Sequence, residues 1–539
     1  MTFDIIIKNG KIIDGTGNPG FYGDIGIKDG RITFVGSLEG KEEVEKVLDA
    51  KGLVVSPGFI DIHSHSDYTI PFDPMAESNI KQGITTMVVG MCGAALAPVN
   101  PEKQELFDKE FSMSAPPNKA YNVTWTKYSE YLDAMEKLGC STNVAFLMGF
   151  GMIRMAAMGY DERKPTESEM QYMKDSIRDG MKAGAFGMST GLIYTPQAYA
   201  ETEEVLELAK VVAEFNGLYF SHIRNEGEKV LEAIQEVIDI VEQSGCMGGQ
   251  IAHHKVSGRK SWGLSKVTLK LIEETNERGI SITCDQYPYN RGMTSLITLL
   301  PPWSHEGGPE KLLERLKDPK ERKKIREDSF EGTNFESFIK NTGWGCIYVA
   351  SLETEKWKGV IGKSLEVIAK ELGRDDAFDV LCEILIDEGA KGSMTIESMA
   401  EEDIKRIMKA RYTMVGTDGS SVSPTGPLSY GKPHPRFYGT YPRILGKYLR
   451  EEGLMTIEQA IRKMTSFPAQ RLGLLDRGLL RENNWADIVI FNPKTIIDKA
   501  TFLDPHQFPD GIEFVIVNGD IVVSKGEHQT NLPGKVLRK

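Results

Sequence analysis

Cysteine is scarce in this chain. The six in 539 residues, Cys92, Cys140, Cys246, Cys284, Cys346 and Cys382, form no CxxC pair or other close spacing. A disulfide framework is therefore not expected, and a reducing compartment, the cytoplasm, fits best. Long apolar runs are missing too: none approaches the roughly 18 residues a membrane helix needs. The start, MTFDIIIKNGKIIDGTG, alternates like a strand and lacks a basic leader or a small-residue cleavage site. No Walker sequence is present, which weakens a nucleotide-binding reading. Positive charge is in deficit, with a formal net charge of −13 and acids scattered along the chain. That balance disfavours nucleic acid as a partner. The longest basic cluster, Lys317 to Arg326, reads as a solvated helix face.

What is present is organised at two scales. The first 55 residues hold short β-like runs broken by Gly and Asp-Gly turns, and the last 55 have the same texture, with Asn518-Gly519 as a hairpin signal. Two such ends suggest one small sheet domain completed by both termini, since each alone would leave open strand edges. Between them, apolar runs (Thr85-Val89, Asn143-Met148, Ala185-Met188, Leu218-Ser221, Gln250-His253, Ser281-Cys284, Cys346-Ala350, Met414-Val415) alternate with amphipathic helices such as Glu203-Phe215, Glu228-Gln243 and Lys266-Arg278. Runs buried on both faces and separated by helices require a parallel sheet. About eight of them favour a closed (β/α)8 barrel over an open one. The polar, helix-like stretch at about 301–345 reads as an insertion covering one barrel mouth.

Histidine is sparse as well, nine in the chain, so its placement is informative. His63, His65, His222, His253 and His254 fall at or just after the C-terminal ends of expected strands, where barrel active sites lie. In FIDIHSHSD, His63 and His65 share a strand face and can aim at one ion. Alone, the pair reads more simply as a strand cap and a solvated ring. Cys92, in VVGMCGAA between glycines that let the backbone approach a ligand, adds a thiolate candidate. His222 closes the next set. In the doublet His253-His254 only one ring can point inward, and if Lys255 belongs to the site, alternation selects His253 with it. Asp418, in GTDGS, would be an ordinary turn residue by itself. Ligand-type residues closing so many different β segments are hard to explain as separate caps. Imidazole and thiolate together suit Zn²⁺ first, with iron, cobalt or nickel as alternatives.

The stretches GNPGFYGDIGI, PGFIDIHSHSD, GITTMVVGMCG, GLIYTPQAYA, FSHIRNEG, AHHKVSG, YPYNRG, GTDGS and HPRFYGTYPRIL, in this order over nearly the whole chain, together resemble the D-aminoacylase (N-acyl-D-amino-acid deacylase) branch of the metal-dependent amidohydrolase superfamily. The resemblance implies an α/β fold: a TIM-type barrel at 58–477 and a small β-sandwich built from 1–57 with 478–539. It implies one tight zinc held by Cys92, His222 and His253. A second, weaker and partly occupied site would use His63, His65 and Asp418, with Cys92 able to bridge. The implied reaction is hydrolysis of an N-acyl-D-amino acid to a carboxylate and the free amino acid, with Asp418 as general base and acid. Lys255 and Tyr287 would bind the substrate carboxylate, and Tyr194 would lie near the acyl or carboxylate group.

One position departs from the family: Met293 stands where a serine is usual. It removes a hydrogen bond that Thr294 or Ser295 could replace. Arg291 could pair with an acidic substrate side chain or with a surface acid. Two other readings stand beside this one. A cyclic-amide hydrolase resembling hydantoinase or dihydroorotase shares the HxH and the late Asp, but usually bridges its metals with a carboxylated lysine. A non-catalytic scaffold on the same barrel would be expected to lose ligands. The partner is a small molecule, and the sequence leaves a homo-oligomer open.

Overall fold

The computed structural model describes residues 2–40, 42–332 and 334–539. Eight parallel strands form a closed barrel: β1 Phe59–Asp61, β2 Ile84–Val89, β3 Asn143–Phe146, β4 Gly187–Gly191, β5 Leu218–His222, β6 Gly248–Ile251, β7 Ile282–Gln286 and β8 Thr413–Val415. Every residue of these strands is buried. That is why they read as continuous apolar or small-residue runs, with helices covering the outside. Strands pair in register from β1 to β3 and from β4 to β8. Met148–Gly149, just beyond β3, pairs with β4 and joins the two arcs.

The seam between β8 and β1 closes just past the strand ends. Asp418 N–H donates to the His63 carbonyl at 2.8 Å and His65 N–H to the Gly419 carbonyl at 2.8 Å. Beneath it, the buried Asp61 accepts from Thr417 N–H at 2.8 Å and Thr417 Oγ1 at 2.6 Å. Barrel closure and placement of His63, His65 and Asp418 are therefore one set of bonds.

Seven of the eight expected runs are barrel strands. Cys346–Ala350 is not: Ile347–Ser351 pairs antiparallel with Ser393–Glu397, which pairs with Arg291–Ser295. The eighth barrel strand is instead the three-residue β1. The extra sheet lies between β7 and β8, and with helices including Pro309–Lys317, Pro319–Glu331 and Ala377–Asp387 it encloses its own core, among it Leu299, Leu312, Phe378 and Ile396. The inserted unit thus runs further than 301–345.

The chain ends meet in one sheet. Ile488–Phe491 pairs antiparallel with Val54–Pro57, placing Ile490 opposite Val55. The nine strands of this sheet bury Ile5, Ile7, Ile25, Ile27, Ile488 and Ile516 in a shared core. The last strand, Val536–Leu537, leaves it and adds to β3 of the barrel.

Because Asp61 is wholly buried, removing its hydroxyl partner leaves a desolvated oxygen unsatisfied. Thr417→Val should lower the unfolding free energy by about 1–3 kcal/mol, while Thr417→Ser should stay near the parent in the same denaturant titration. A loss in Thr417→Ser with Thr417→Val near the parent would show that the methyl, not the hydroxyl, matters.

Candidate metal and substrate site

The barrel's C-terminal mouth opens into a cavity of about 470 Å³ lined by His65, Cys92, His222, His253, Lys255 and Asp418, among others. Cys92 follows β2, His222 ends β5, His253 follows β6, and Asp418 follows β8. Cys92, His253 and Asp418 carry φ values of +53°, +35° and +48°, sparsely populated for non-glycine residues and typical of sites where surrounding structure over-determines the backbone. The glycines beside Cys92 serve protein packing. A Cβ at Gly90 would overlap the Leu147 carbonyl, and one at Gly93 the Gln197 amide. Gln197 uses that room to bond Gly191 N–H at 2.6 Å and the Cys92 carbonyl at 3.2 Å.

Cys92 Sγ lies 3.5 Å from both His63 Nε2 and His253 Nε2. Asp418 Oδ1 is 3.4 Å from His63 Nε2 and 3.2 Å from His65 Nε2. One atom each from His63, Cys92, His253 and Asp418 fall within 4.8 Å of one another, and so do atoms from His222, Glu226 and His253. His222 is 4% exposed, yet neither ring nitrogen has a hydrogen-bond partner. The carboxylate of Glu226 stands 3.9 Å away. His254 turns off the cavity, its Nε2 3.0 Å from Thr268 Oγ1.

The cluster's charges are interlocked. Burial alone would push the Cys92 thiol up, but the His63 and His253 rings, then His222, draw it well below its usual range. Asp418 is likewise held well below the ordinary carboxylate range against burial, first by Arg436, whose Nη1 is 2.9 Å from Oδ2, then by His253 and His63. Burial opposes charge on His65, and its bonds to Asp418 and Cys92 carry it up to about 9. Glu226 is kept ionised in spite of burial by Lys255, 2.7 Å away, and by His222 and His253. Its Oε1 is also 3.0 Å from His253 Nδ1, and Lys255 Nζ is 2.7 Å from the same nitrogen.

Tyr287 lies beside Lys255 with its buried hydroxyl unpartnered, and the Arg436 guanidinium stands 4.5 Å over its ring. Tyr194 packs its ring 5.1 Å from His222 and accepts from Thr294 Oγ1 at 3.2 Å. Arg291 is not brought to the cavity: its guanidinium pairs with Glu397 at 3.0 Å and stacks on Tyr348 and Phe502. Its guanidinium is thus engaged by protein groups outside the cavity lining. Met293 does line the cavity.

Sequence reasoning passed over three residues that the site depends on. Glu226 sits in FSHIRNEG and Arg436 in HPRFYG, both conspicuous stretches, while Asp285 immediately precedes the YPY segment as TCDQ. Each is a charged residue beside an expected strand end, the one signal that could have found them. Asp285 meets His63 from 222 residues away, whereas His222 stands only four residues before Glu226.

The sequence profile of the amidohydrolase family matches residues 46–278 and 365–523. The chain therefore belongs to the amidohydrolase family. A D-aminoacylase of Alcaligenes xylosoxydans xylosoxydans is 33% identical over 541 residues, covering 100% of this chain and 98% of that one. An N-acyl-D-glutamate deacylase of the same organism is 33% identical over 545 residues, covering 99% and 96%. The crystal structure of N-acyl-D-glutamate deacylase from Bordetella bronchiseptica, complexed with zinc and a phosphonate mimic of the tetrahedral intermediate, has a TM-score of 0.82 at 33% identity and 100% coverage of both chains. Within the family this chain groups with the D-aminoacylases and their acidic-substrate relatives.

The inserted unit touches the site through Glu336, whose Oε2 accepts from Glu226 N–H at 2.7 Å. Burial and the charge of Glu226 push the Glu336 carboxyl up to about 8 from 4.5. Between these values the folded chain holds a proton that the unfolded chain has lost, so stability falls as pH rises. Glu336→Gln keeps the acceptor and removes that slope. The variant's unfolding free energy relative to the parent should rise by on the order of 1–3 kcal/mol from about pH 5 to about pH 8.5. A difference independent of pH would contradict a neutral buried carboxyl.

Proposed function

We propose that this protein is a cytoplasmic, zinc-dependent N-acyl-D-amino-acid deacylase, with residues 58–477 as its catalytic barrel and 1–57 with 478–539 as a small β domain. The observation that carries the metal assignment is His222: a buried imidazole with two unpartnered nitrogens, beside a cysteine whose thiolate is favoured. Buried polar atoms without partners are rare in proteins, and a bound ion would supply the missing one here. Cys92, His222 and His253 would hold the tight zinc, and His63, His65 and Asp418, with Cys92 between them, the weaker site. Thiolate and imidazole fit zinc better than calcium or magnesium. Bound there, zinc would supply a Lewis acid that polarises the acyl carbonyl and lowers the pKa of water.

The chain's own groups do the rest. Asp418, kept ionised by Arg436, takes a proton from the attacking water and returns it to the leaving nitrogen as the C–N bond breaks. The new carboxylic acid ionises and the freed amine takes up that proton, so the products are a carboxylate and an ammonium. Glu226 Oε1, 3.0 Å from His253 Nδ1, and Lys255 Nζ, 2.7 Å from the same nitrogen, hold that ring with Nε2 turned toward Cys92. Lys255 is held charged against burial by Glu226. With the free hydroxyl of Tyr287 it grips the substrate α-carboxylate, while Tyr194 lies against the acyl side.

The direct test is turnover of matched D and L N-acyl-amino acids, with metal content measured on the same sample. Hydrolysis confined to the D series, lost on chelation and restored by zinc, is expected. Activity only on the L series would overturn the stereochemical assignment. Asp418→Asn should lower kcat by about 10²–10⁴-fold, and parent-like turnover would remove it as the base. A His63→Ala, His65→Ala protein should retain close to one zinc per chain, and loss of all metal would show the pair to belong to the tight position.

A further inference from the structure

Resting on the deacylase reading, we infer that this enzyme takes N-acyl-D-amino acids with apolar, uncharged side chains and rejects the acidic ones. The relatives divide over this property, since one comparably similar protein is a D-aminoacylase and another an N-acyl-D-glutamate deacylase. The wall of this chain's cavity decides between them.

A substrate with an acidic side chain brings two carboxylates into the cavity. The first needs the cations already at the reacting end, and the second needs a cation of its own, because a buried unpaired charge is strongly disfavoured. Among the described residues lining the cavity, the only lysine and arginine are Lys255 and Arg436. Both stand beside Tyr287 and are engaged by Glu226 and Asp418 respectively. The third basic residue away from the metal cluster, His305, is 6% exposed, and burial lowers its pKa to about 4, so it is neutral near pH 7. Arg291, the one nearby cation with a place in the sequence to reach the substrate, is paired and stacked elsewhere.

Much of the remaining wall is apolar and adaptable, set among hydroxyls such as Ser114, Thr294, Ser295 and Thr298. Met113, Met152, Met155, Met293, Ile193 and Leu300 face the same space, and methionine's flexible thioether moulds to apolar groups of different shapes. The wall also carries an acid. Glu110, on the helix Gln104–Ser114, lines the cavity and accepts from Tyr160 Oη at 2.6 Å. Ionised, it repels a second carboxylate; protonated, it still provides no countercharge. The usual serine position, filled by Met293, belongs to the same apolar surface.

The test is kcat/KM for N-acetyl-D-methionine, D-leucine and D-phenylalanine against N-acetyl-D-glutamate and D-aspartate on the zinc-replete protein. The neutral substrates should exceed the acidic ones by at least about 100-fold, as expected when a site leaves a buried charge unpaired. Glu110→Gln should narrow that ratio about tenfold, and an unchanged ratio removes Glu110 from the discrimination. Acidic substrates turned over as well as neutral ones would overturn this inference and leave the deacylase reading standing. Failure to hydrolyse any of the five would overturn both.

Discussion

Asp285 is the carboxylate on which the arrangement of the mouth turns. Buried at the end of β7, it receives His63 Nδ1 at 3.0 Å, the backbone N–H of His253 at 2.8 Å and Gln250 Nε2 at 2.8 Å. With Nδ1–H of His63 committed, its Nε2 faces Cys92 and Asp418 with a lone pair. With the His253 amide committed, that residue adopts its positive φ and swings its ring toward Cys92, while His254 is carried to the outer side. One side chain thus orients two imidazoles from strands on opposite sides of β7. The His63 ring pays for no other contact in doing so, because the β1–β8 seam already fixes its backbone.

Around that core the charges come in opposed pairs. Arg436 with Asp418 and Lys255 with Glu226 each bury an ion beside its counterion, and the cysteine thiolate is balanced by the surrounding rings. Leaving any one partner unmatched would cost several kcal/mol. That economy explains why residues absent from the expected ligand set, Glu226, Asp285 and Arg436, are as deeply buried as the set itself. They carry the ligand-type residues' charge and direction.

Much of the fold was legible because a parallel strand buried on both faces leaves a continuous apolar run, and a barrel repeats it between helices. The limits are physical. A buried run does not say whether its partner is parallel or antiparallel, so Ile347–Ser351 read like a barrel strand although it belongs to the inserted sheet. The three residues of Phe59–Asp61 were too short to register as a strand apart from the motif they enter. In the candidate site, strand period separates His253 from His254 locally, whereas the fate of Arg291 depends on Glu397, over 100 residues away, and no local pattern carries that.

The same contrast separates reaction from selectivity. The groups proposed for chemistry sit on strand ends tied to the barrel seam and to Asp285, where a displacement would break several buried bonds at once. The cavity wall is drawn largely from helices and from the unit between β7 and β8, which has its own core and meets the site through the Glu336 bond, the edge strand Arg291–Ser295 and cavity-lining residues such as Leu300 and His305. Substituting wall residues such as Met293 or Glu110 leaves the seam bonds untouched, so the wall can change its polarity while the reacting end remains fixed. The preference inferred above for uncharged side chains is a property of this kind, resting on the charge of the wall and not on the groups at the strand ends.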